Sequence, residues 1–278
     1  MRTVCVEIAV GDDPRLLEAV GSLADQTRRP DRVLLAASPS TPQALLDAAC
    51  RRAPTLSIAV GRYPGGIVGA RAASLAEIPE ELTAFLDSDE VAPPAWLGRL
   101  IEPLEQGRAE FTGGPTRPRR PAETPIERYL EELERAIYEG LVPTQVVYLP
   151  LQNTAWRTPD LKRLGFDPRI PYAEDHDLES RALAAGLRGA YVPEAWVFHD
   201  KSLETSYGRW LRKRYRYLVA MAMSLIKNGS LRHRLGERRS PVHHPLRFLE
   251  APLKPLALVH GALRWRSVRR SPGPPPGG

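Results

Sequence analysis

Short apolar runs rich in β-branched residues alternate with helix-type runs through the first third of the chain, and this alternation narrows the fold more than any other feature. The strand-type runs fall at residues 4–10, 31–37, 56–60 and 82–86. Between them lie Leu16, Leu17, Val20 and Leu23 at helical spacing, a second helical stretch over 41–52, and a glycine-rich turn at 65–71 that leads into a third helix ending near Ala76. Asp13 is placed to cap the first helix, with Pro14 at its first position. Strands and helices in this order predict a mostly parallel sheet covered by helices on both faces. In such sheets ligands bind beyond the carboxyl ends of the strands. The fourth run ends there in Asp87-Ser88-Asp89-Glu90. Carboxylates at that place suit a hard divalent cation that shares its other positions with a diphosphate. The pattern itself is weak, because a chain of this length should hold roughly one D-x-D by chance. A second, Asp175-His176-Asp177, is present. The setting after a strand carries the reading.

At 278 residues the chain accommodates one large α/β domain or two small ones, and its 42% apolar and 26% charged content is that of a globular protein. No apolar run approaches the roughly 20 residues that span a bilayer. Glu7 interrupts any signal-peptide core, so a cytoplasmic protein is expected. Cys5 and Cys50 provide neither a disulfide framework nor a metal spacing, and read as buried thiols. The net charge of +6 hides an asymmetry: residues 201–278 hold 17 Lys and Arg against three acids, which leaves the first 200 residues at −8. A basic extension on an acidic body implies an anionic partner, such as a diphosphate or a membrane surface. No recognised nucleic-acid module is present, so no nucleic-acid partner is expected.

Further along, residues 96–106 read as a helix, 117–121 as a basic proline-rich loop, 125–140 as an amphipathic helix and 145–149 as a short strand. The glycine-rich turn lacks the G-K-[ST] ending of a phosphate-binding P-loop, although a helix N-terminus beside Arg71 can face a phosphate. A helix opens at Glu174 with acids in its first turn, which also suits the helix dipole, and Gly186 ends it. Two short strands follow at 189–193 and 195–199, the second ending in His199. Residues 206–226 form a basic aromatic helix, and Pro252 and Pro255 divide what comes after 231. The Pro-Gly tail over 271–278 reads as disordered.

Taken in order, these segments resemble a family 2 glycosyltransferase of the GT-A fold. The first strand, Asp-Pro turn and Leu-rich helix resemble that family's first βα unit. Gly69-Ala70-Arg71 is similar to its G-x-A-R segment, and Phe85-Leu86-Asp87-Ser88-Asp89 with Pro94-Ala95-Trp96-Leu97 to its metal-binding stretch. Gln152-Asn153-Thr154-Ala155-Trp156-Arg157 resembles the segment beside the acceptor. Gly165-Phe166-Asp167, Glu174-Asp175-His176-Asp177 and the run ending Val197-Phe198-His199 complete the series, which spans residues 1 to about 220. The resemblance departs in one place. Where the family usually has carboxylates after the second strand, this chain reads Ser38-Pro39-Ser40, so UDP is not to be assumed. The family's Asn after the arginine is here Ala72.

The resemblance implies a GT-A α/β fold: a mostly parallel twisted sheet flanked by helices, a small antiparallel acceptor-side portion, and a basic helical C-terminal extension. Residues 1–115 would form the nucleotide-sugar half, 116–200 the acceptor-side and catalytic half, and 201–278 the extension. It implies metal-dependent, inverting transfer of a sugar from a nucleotide-diphosphate sugar to an acceptor hydroxyl. Asp89 and His199 would hold Mg²⁺ or Mn²⁺. Asp87, Arg71, Arg212, Arg214 and Arg216 would contact the nucleotide or its phosphates. Asp175 would be the general base with Glu174 beside it, and Trp96, Asn153, Trp156 and Tyr172 would face the acceptor. That acceptor is a saccharide, a lipid-linked sugar, a natural product or a peptide. The extension is expected to contact an anionic membrane peripherally, on its inner face, or to close over the donor, and a homodimer is compatible with the sequence. Two other readings are a sugar nucleotidyltransferase, which would need a glycine- and lysine-rich loop after the first strand, and a non-catalytic nucleotide- or sugar-binding protein on a degenerate fold.

Overall fold

The structure, a computed structural model, describes residues 1–139, 141, 148–201, 206–229 and 244–270. Four parallel strands build its centre: β1 (Val4–Val10), β2 (Arg32–Ala37), β3 (Ile58–Arg62) and β4 (Leu82–Leu86). β1 pairs with both β2 and β4, so that Val6 lies between Val33 and Ala84. The helices between them are α1 (Leu16–Ala24), α2 (Gln43–Arg52) and α3 (Gly66–Ser74). After β4 come β5 (Glu90–Val91), α4 (Trp96–Glu105), β6 (Phe111–Gly113), β7 (Thr116–Pro118) and α5 (Pro125–Tyr138). Next are β8 (Asn153–Arg157), α6 (Thr158–Leu164), α7 (Glu174–Ala184), β9 (Gly189–Tyr191) and β10 (Val197–His199). The remaining described helices are α8 (Tyr207–Lys227), α9 (Leu246–Glu250) and α10 (Leu253–Val268).

One seven-stranded sheet runs in the order β3-β2-β1-β4-β8-β6-β9, and β8 is antiparallel to both its neighbours. Successive side chains of a strand face opposite ways, so the sheet feeds two cores. On one face Val4, Val6 and Ile8 pack with Leu16, Val20 and Leu23 of α1, Leu46 of α2, and Trp96 and Leu100 of α4. On the other, Cys5 and Phe85 pack with Val68 of α3, Leu161 of α6 and Leu178 of α7. A second, three-stranded sheet, β5-β10-β7, takes its first strand from just after β4; β10 is antiparallel to β5 and parallel to β7.

The alternating half therefore folds as its periodicity requires, and the mainly parallel sheet flanked by helices is the architecture expected. Four local details differ. Asp13 does not cap α1: that helix starts at Leu16 without a side-chain cap, and the Asp13 carboxylate instead accepts from Arg15. Residues 153–157 form a central strand that their sequence does not advertise, because three of the five are polar or charged and both Asn153 and Thr154 are wholly buried. The basic loop around Arg117 begins as β7, where Pro118 is tolerated because the strand lies at the edge of the small sheet. The strand expected over 145–149 falls largely outside the described residues, and Tyr148 and Leu149 are not in a strand. The tail over 271–278 and the segment 230–243 also lie outside them. The amphipathic helix α5 is fixed at its start by a capping box between Thr124 and Glu127, an arrangement typically worth about 1 kcal/mol.

Candidate functional site

The end of β4 delivers two carboxylates to one rim of the sheet, and the small sheet brings the histidine to them. In the β5–β10 pairing His199 lies opposite Glu90, one residue past Asp89. The His199 Nε2 atom is thereby 3.4 Å from Asp89 Oδ2. Its other nitrogen, Nδ1, is 3.2 Å from Glu134 Oε1 on α5. Glu134 Oε2 accepts from Lys201 Nζ at 2.5 Å and from the Thr116 hydroxyl at 2.6 Å. Arg15 reaches Asp89 from the first βα turn at 3.5 Å. Burial works against charge on these groups, but the ion pairs outweigh it. Glu134 is held down at about 2 by His199 and Lys201 despite its burial. Asp89 stays below the ordinary carboxylate range because His199 and Arg15 overcome its burial. Burial would depress His199, and Glu134 and Asp89 hold it well above its ordinary value instead.

Asp89 and His199 suit a divalent cation, which on binding would take the place of the Nε2 proton that Asp89 and Glu134 hold on His199. Both are on one rim, and a carboxylate at Nδ1 orients the imidazole with Nε2 toward the Asp89 side. Among the described residues no group of three or more His, Cys, Asp or Glu side chains is arranged to enclose an ion. Two protein ligands on an open rim fit a cation that completes its shell with phosphate oxygens and water.

Arg71 joins this rim to the next one. Its side chain is nearly fully buried, with Nη2 2.8 Å from Asp87 Oδ1 and Nη1 2.8 Å from Glu174 Oε1. Behind it, Glu7 projects from the middle of β1 at 3.9 Å from Arg71 Nε, itself 1% exposed. Burial pushes the Glu7 carboxyl up to about 7 although Arg71 opposes the shift. The Glu7 Oε1 atom has no hydrogen-bond partner among the described residues.

Asp175 follows Glu174 on the first turn of α7. Burial first, and then the neighbouring Glu174, raise its carboxyl to about 7. Tyr148 donates to Asp175 Oδ2 at 2.5 Å, and its ring stacks on His176 with centroids 3.9 Å apart. His176 Nε2 in turn lies 2.8 Å from the Tyr217 hydroxyl of α8. Asp177 has a different task. It pairs with Arg181 of its own helix and with Lys227 at the end of α8, which also holds Asp167. The second D-x-D thus divides into a site carboxylate and a tether for the C-terminal helices.

Tyr172, two residues before Glu174, is 48% exposed and has φ 71°, the one positive φ of a non-glycine residue among those described. Strain of this kind gathers where a loop serves a site. The three other acceptor-side expectations need correction. Trp96, Asn153 and Trp156 are all buried to 1% exposure or less. Trp96 Nε1 donates to Asn153 Oδ1 at 2.7 Å, and the Asn153 amide donates onward to the carbonyls of Ala195 and Pro115. Trp156 stacks on Phe111 at 4.4 Å. They lock β8 to its surroundings and have no face to offer a sugar. Arg214 is likewise occupied, since Glu250 of α9 takes its Nε at 2.9 Å and its Nη2 at 3.0 Å. Arg212 and Arg216 are exposed on α8, and no hydrogen bond among the described residues draws them toward Arg71.

Four residues of the site carry no signal of their own in the sequence: Arg15, Glu7, Glu134 and Tyr148. After β2, the place without a carboxylate is closed by a cation. Arg62 donates to the carbonyls of Ser38, Pro39 and Thr41. A groove of about 610 Å³ opens beside Glu134, lined by Arg117, Tyr138 and Tyr191 among others. Asp87, Asp89 and Asp175 do not line it, and it meets their rim through Glu134.

Comparison with known proteins gives this geometry a family. The model of the family described as "Glycosyl transferase family 2" matches residues 8–160. A curated relative, the pre-mycofactocin glycosyltransferase of Mycobacterium tuberculosis, is 29% identical over 159 residues, 55% of this chain and 33% of the relative. The match thus spans about a third of that relative's length. Among solved structures, the mannosyltransferase PcManGT of Pyrobaculum calidifontis, in complex with GDP-Man and Mn²⁺, superposes with a TM-score of 0.63 at 18% identity, covering 99% of this chain and 77% of that one. S. aureus TarS in complex with UDP-GlcNAc gives 0.57 at 18% identity, covering 94% and 81%. At these identities the solved structures share the fold, which is that of GT-A glycosyltransferases. With more than half of the chain inside the family model, the chain belongs to glycosyl transferase family 2, a family of glycosyltransferases.

Proposed function

We propose that this chain transfers a sugar, with inversion and with the help of a divalent cation, from a nucleotide-diphosphate sugar to an acceptor hydroxyl. One observation carries the proposal: the buried Arg71 bridges Asp87 on the metal-side rim to Glu174 on the base-side rim, with Asp175 beside it raised to about 7. A guanidinium that ties a metal-side carboxylate to a base-side one, with a carboxyl raised to about 7 beside it, divides the labour that an inverting displacement requires. Asp175 takes the proton of the acceptor hydroxyl, and its pKa near neutrality suits both the acceptance and the later release of that proton. Glu174 fixes Arg71, and Arg71 fixes Asp87 toward the nucleotide. Asp89 and His199 would hold Mg²⁺ or Mn²⁺, which when bound neutralises charge on the departing diphosphate. Tyr172 offers an exposed ring on the acceptor side. Ligands of the two solved neighbours, GDP-Man with Mn²⁺ and UDP-GlcNAc, support a nucleotide-sugar donor. Arg62 where carboxylates are usual favours a donor whose base is not read as UDP is.

The test is a thermal-shift panel of nucleoside diphosphates and nucleotide sugars, each with and without Mg²⁺ or Mn²⁺, followed by the anomeric configuration of any product. A ligand of the folded state raises the melting temperature by mass action. A metal-dependent rise with one base, and a product inverted relative to the donor, are expected. A retained configuration would remove Asp175 from the role of base, and the absence of any nucleotide response would reduce the chain to a non-catalytic member of its family.

A further inference from the structure

We propose that the outward face of α9 and α10 docks on an anionic lipid surface. Helix α10 turns one side to α8, where it buries Ala257 and Gly261 and half-buries Leu253 and Trp265. The two helices touch at their backbones there. A Cβ on Gly261 would meet Ala222 Cβ at 2.7 Å and the Val219 carbonyl at 2.8 Å. The opposite side of α10 should be polar if it faced only water. It instead presents Leu256, Val259 and Leu263, spaced as neighbours on one helical stripe and each about 60% exposed. The preceding helix adds Phe248 at 80% and Leu249 at 48%. Single exposed apolar side chains are ordinary, but five on two consecutive helices mark a contact surface.

The charge around them selects the partner. Residues 206–229 and 244–270 contain twelve Lys and Arg and one acid, Glu250. Glu250 is 1% exposed and already engaged by Tyr129 and Arg214. Every exposed charge on these three helices is therefore positive. A second copy of the chain would bring cations against cations, whereas an anionic headgroup layer neutralises them while its acyl boundary receives the apolar stripe. No described helix is long and apolar enough to cross a membrane, so the contact is interfacial. The packed side of the same helix reaches toward the site: the Trp265 ring lies under the Arg169 guanidinium at 5.3 Å and packs near Ile170 and Ala173, in the loop that leads into Glu174. The docking itself does not depend on the transferase reading.

The full chain should be floated with vesicles of phosphatidylcholine alone and with phosphatidylglycerol added, at low and high salt. Flotation with the anionic vesicles is expected, with roughly tenfold weaker partitioning on neutral vesicles or at high salt. The combined variant Leu256→Ser, Val259→Ser, Leu263→Ser should lose most of the partitioning at an unchanged melting temperature, and Phe248→Ser part of it. These side chains are exposed, so the fold does not rest on them. No flotation, or variants that float like the parent, would overturn the proposal. So would light scattering that shows a dimer dissociated by the same variants, since the stripe would then join two copies.

Discussion

The two rims bridged by Arg71 use the same residue types to opposite ends. On the metal side, three cationic groups, Arg15, Lys201 and His199, surround Asp89 and Glu134, and both carboxylates are held below their ordinary range. On the base side one guanidinium, that of Arg71, serves Glu7 and Glu174, stands near Asp175 and also reaches across to Asp87 on the metal side. Carboxylates there outnumber their counter-charge, burial prevails, and both Glu7 and Asp175 rise to about 7. Burial raises every one of these carboxyls, and the cations beside Asp89 and Glu134 outweigh it where a single guanidinium does not, a division that under the proposed function parts a ligand from a base. A low-pKa carboxylate stays ionised to meet a cation, and a raised one is poised to exchange a proton.

The comparison breaks most decisively at Asp175. Asp175→Asn keeps the shape and removes proton acceptance, so turnover should fall by about 10²–10⁴-fold while nucleotide and metal affinity persist. Single-turnover rates and nucleotide titrations on one preparation measure both halves. Turnover like the parent's would move the base elsewhere. On the other rim Asp89→Ala should do the reverse to binding: Mn²⁺ should cease to strengthen nucleotide affinity, a loss of roughly 100-fold at saturating metal. Unchanged metal-dependent affinity would place the cation away from Asp89.

How much of this was legible in the sequence follows from the range of each signal. β1 to β4 and α1 to α3 declare themselves locally, through runs of β-branched residues and helical spacing, and their order sets the sheet. Asp87, Asp89, Arg71, Asp175 and His199 stood out through the order of their motifs, and the fold brings them to one edge. Glu134 could not be singled out, because α5 carries several glutamates and its partner His199 is 65 residues away. Arg214 looked available for a phosphate only because Glu250, 36 residues on, was not visible as its partner. Trp96 and Trp156 show the same blindness from the apolar side: a sequence does not distinguish a ring that fills a core from one that lines a cleft. Nor did β8 announce itself, since Asn153 and Thr154 satisfy their polar atoms by burial inside a hydrogen-bonded network.

A gentler perturbation of the metal side is Glu134→Gln. It keeps the size of the side chain and a hydrogen-bonding oxygen, but removes the charge that orients His199 and neutralises Lys201. Metal affinity should drop by about 10–100-fold, the usual effect of losing a carboxylate behind a histidine ligand. Mn²⁺ titration followed by paramagnetic resonance reads this without turnover. An affinity equal to the parent's would make Glu134 a purely structural partner of Lys201 and Thr116.

The smallest expected effect is the most specific to the base side. Tyr148 donates to Asp175, and a donor to a carboxylate favours its ionised form. Asp175 must be ionised to accept a proton, so activity should rise with pH through about 7 and level off above it. Tyr148→Phe removes the donor, and the midpoint should move upward by about one unit, in keeping with a hydrogen bond to a charged group. The same carboxyl leaves a mark on stability with the sign opposite to that of a salt-bridged acid. Its folded pKa lies above its ordinary value, so the folded state binds the extra proton and stability declines as pH rises from about 4 toward 7. Asp175→Asn should flatten that decline, leaving the share that Glu7 contributes. A Tyr148→Phe profile displaced downward, or an Asp175→Asn protein whose melting temperature falls with pH as steeply as the parent's, would detach the raised pKa from Asp175 and with it the division between the two rims.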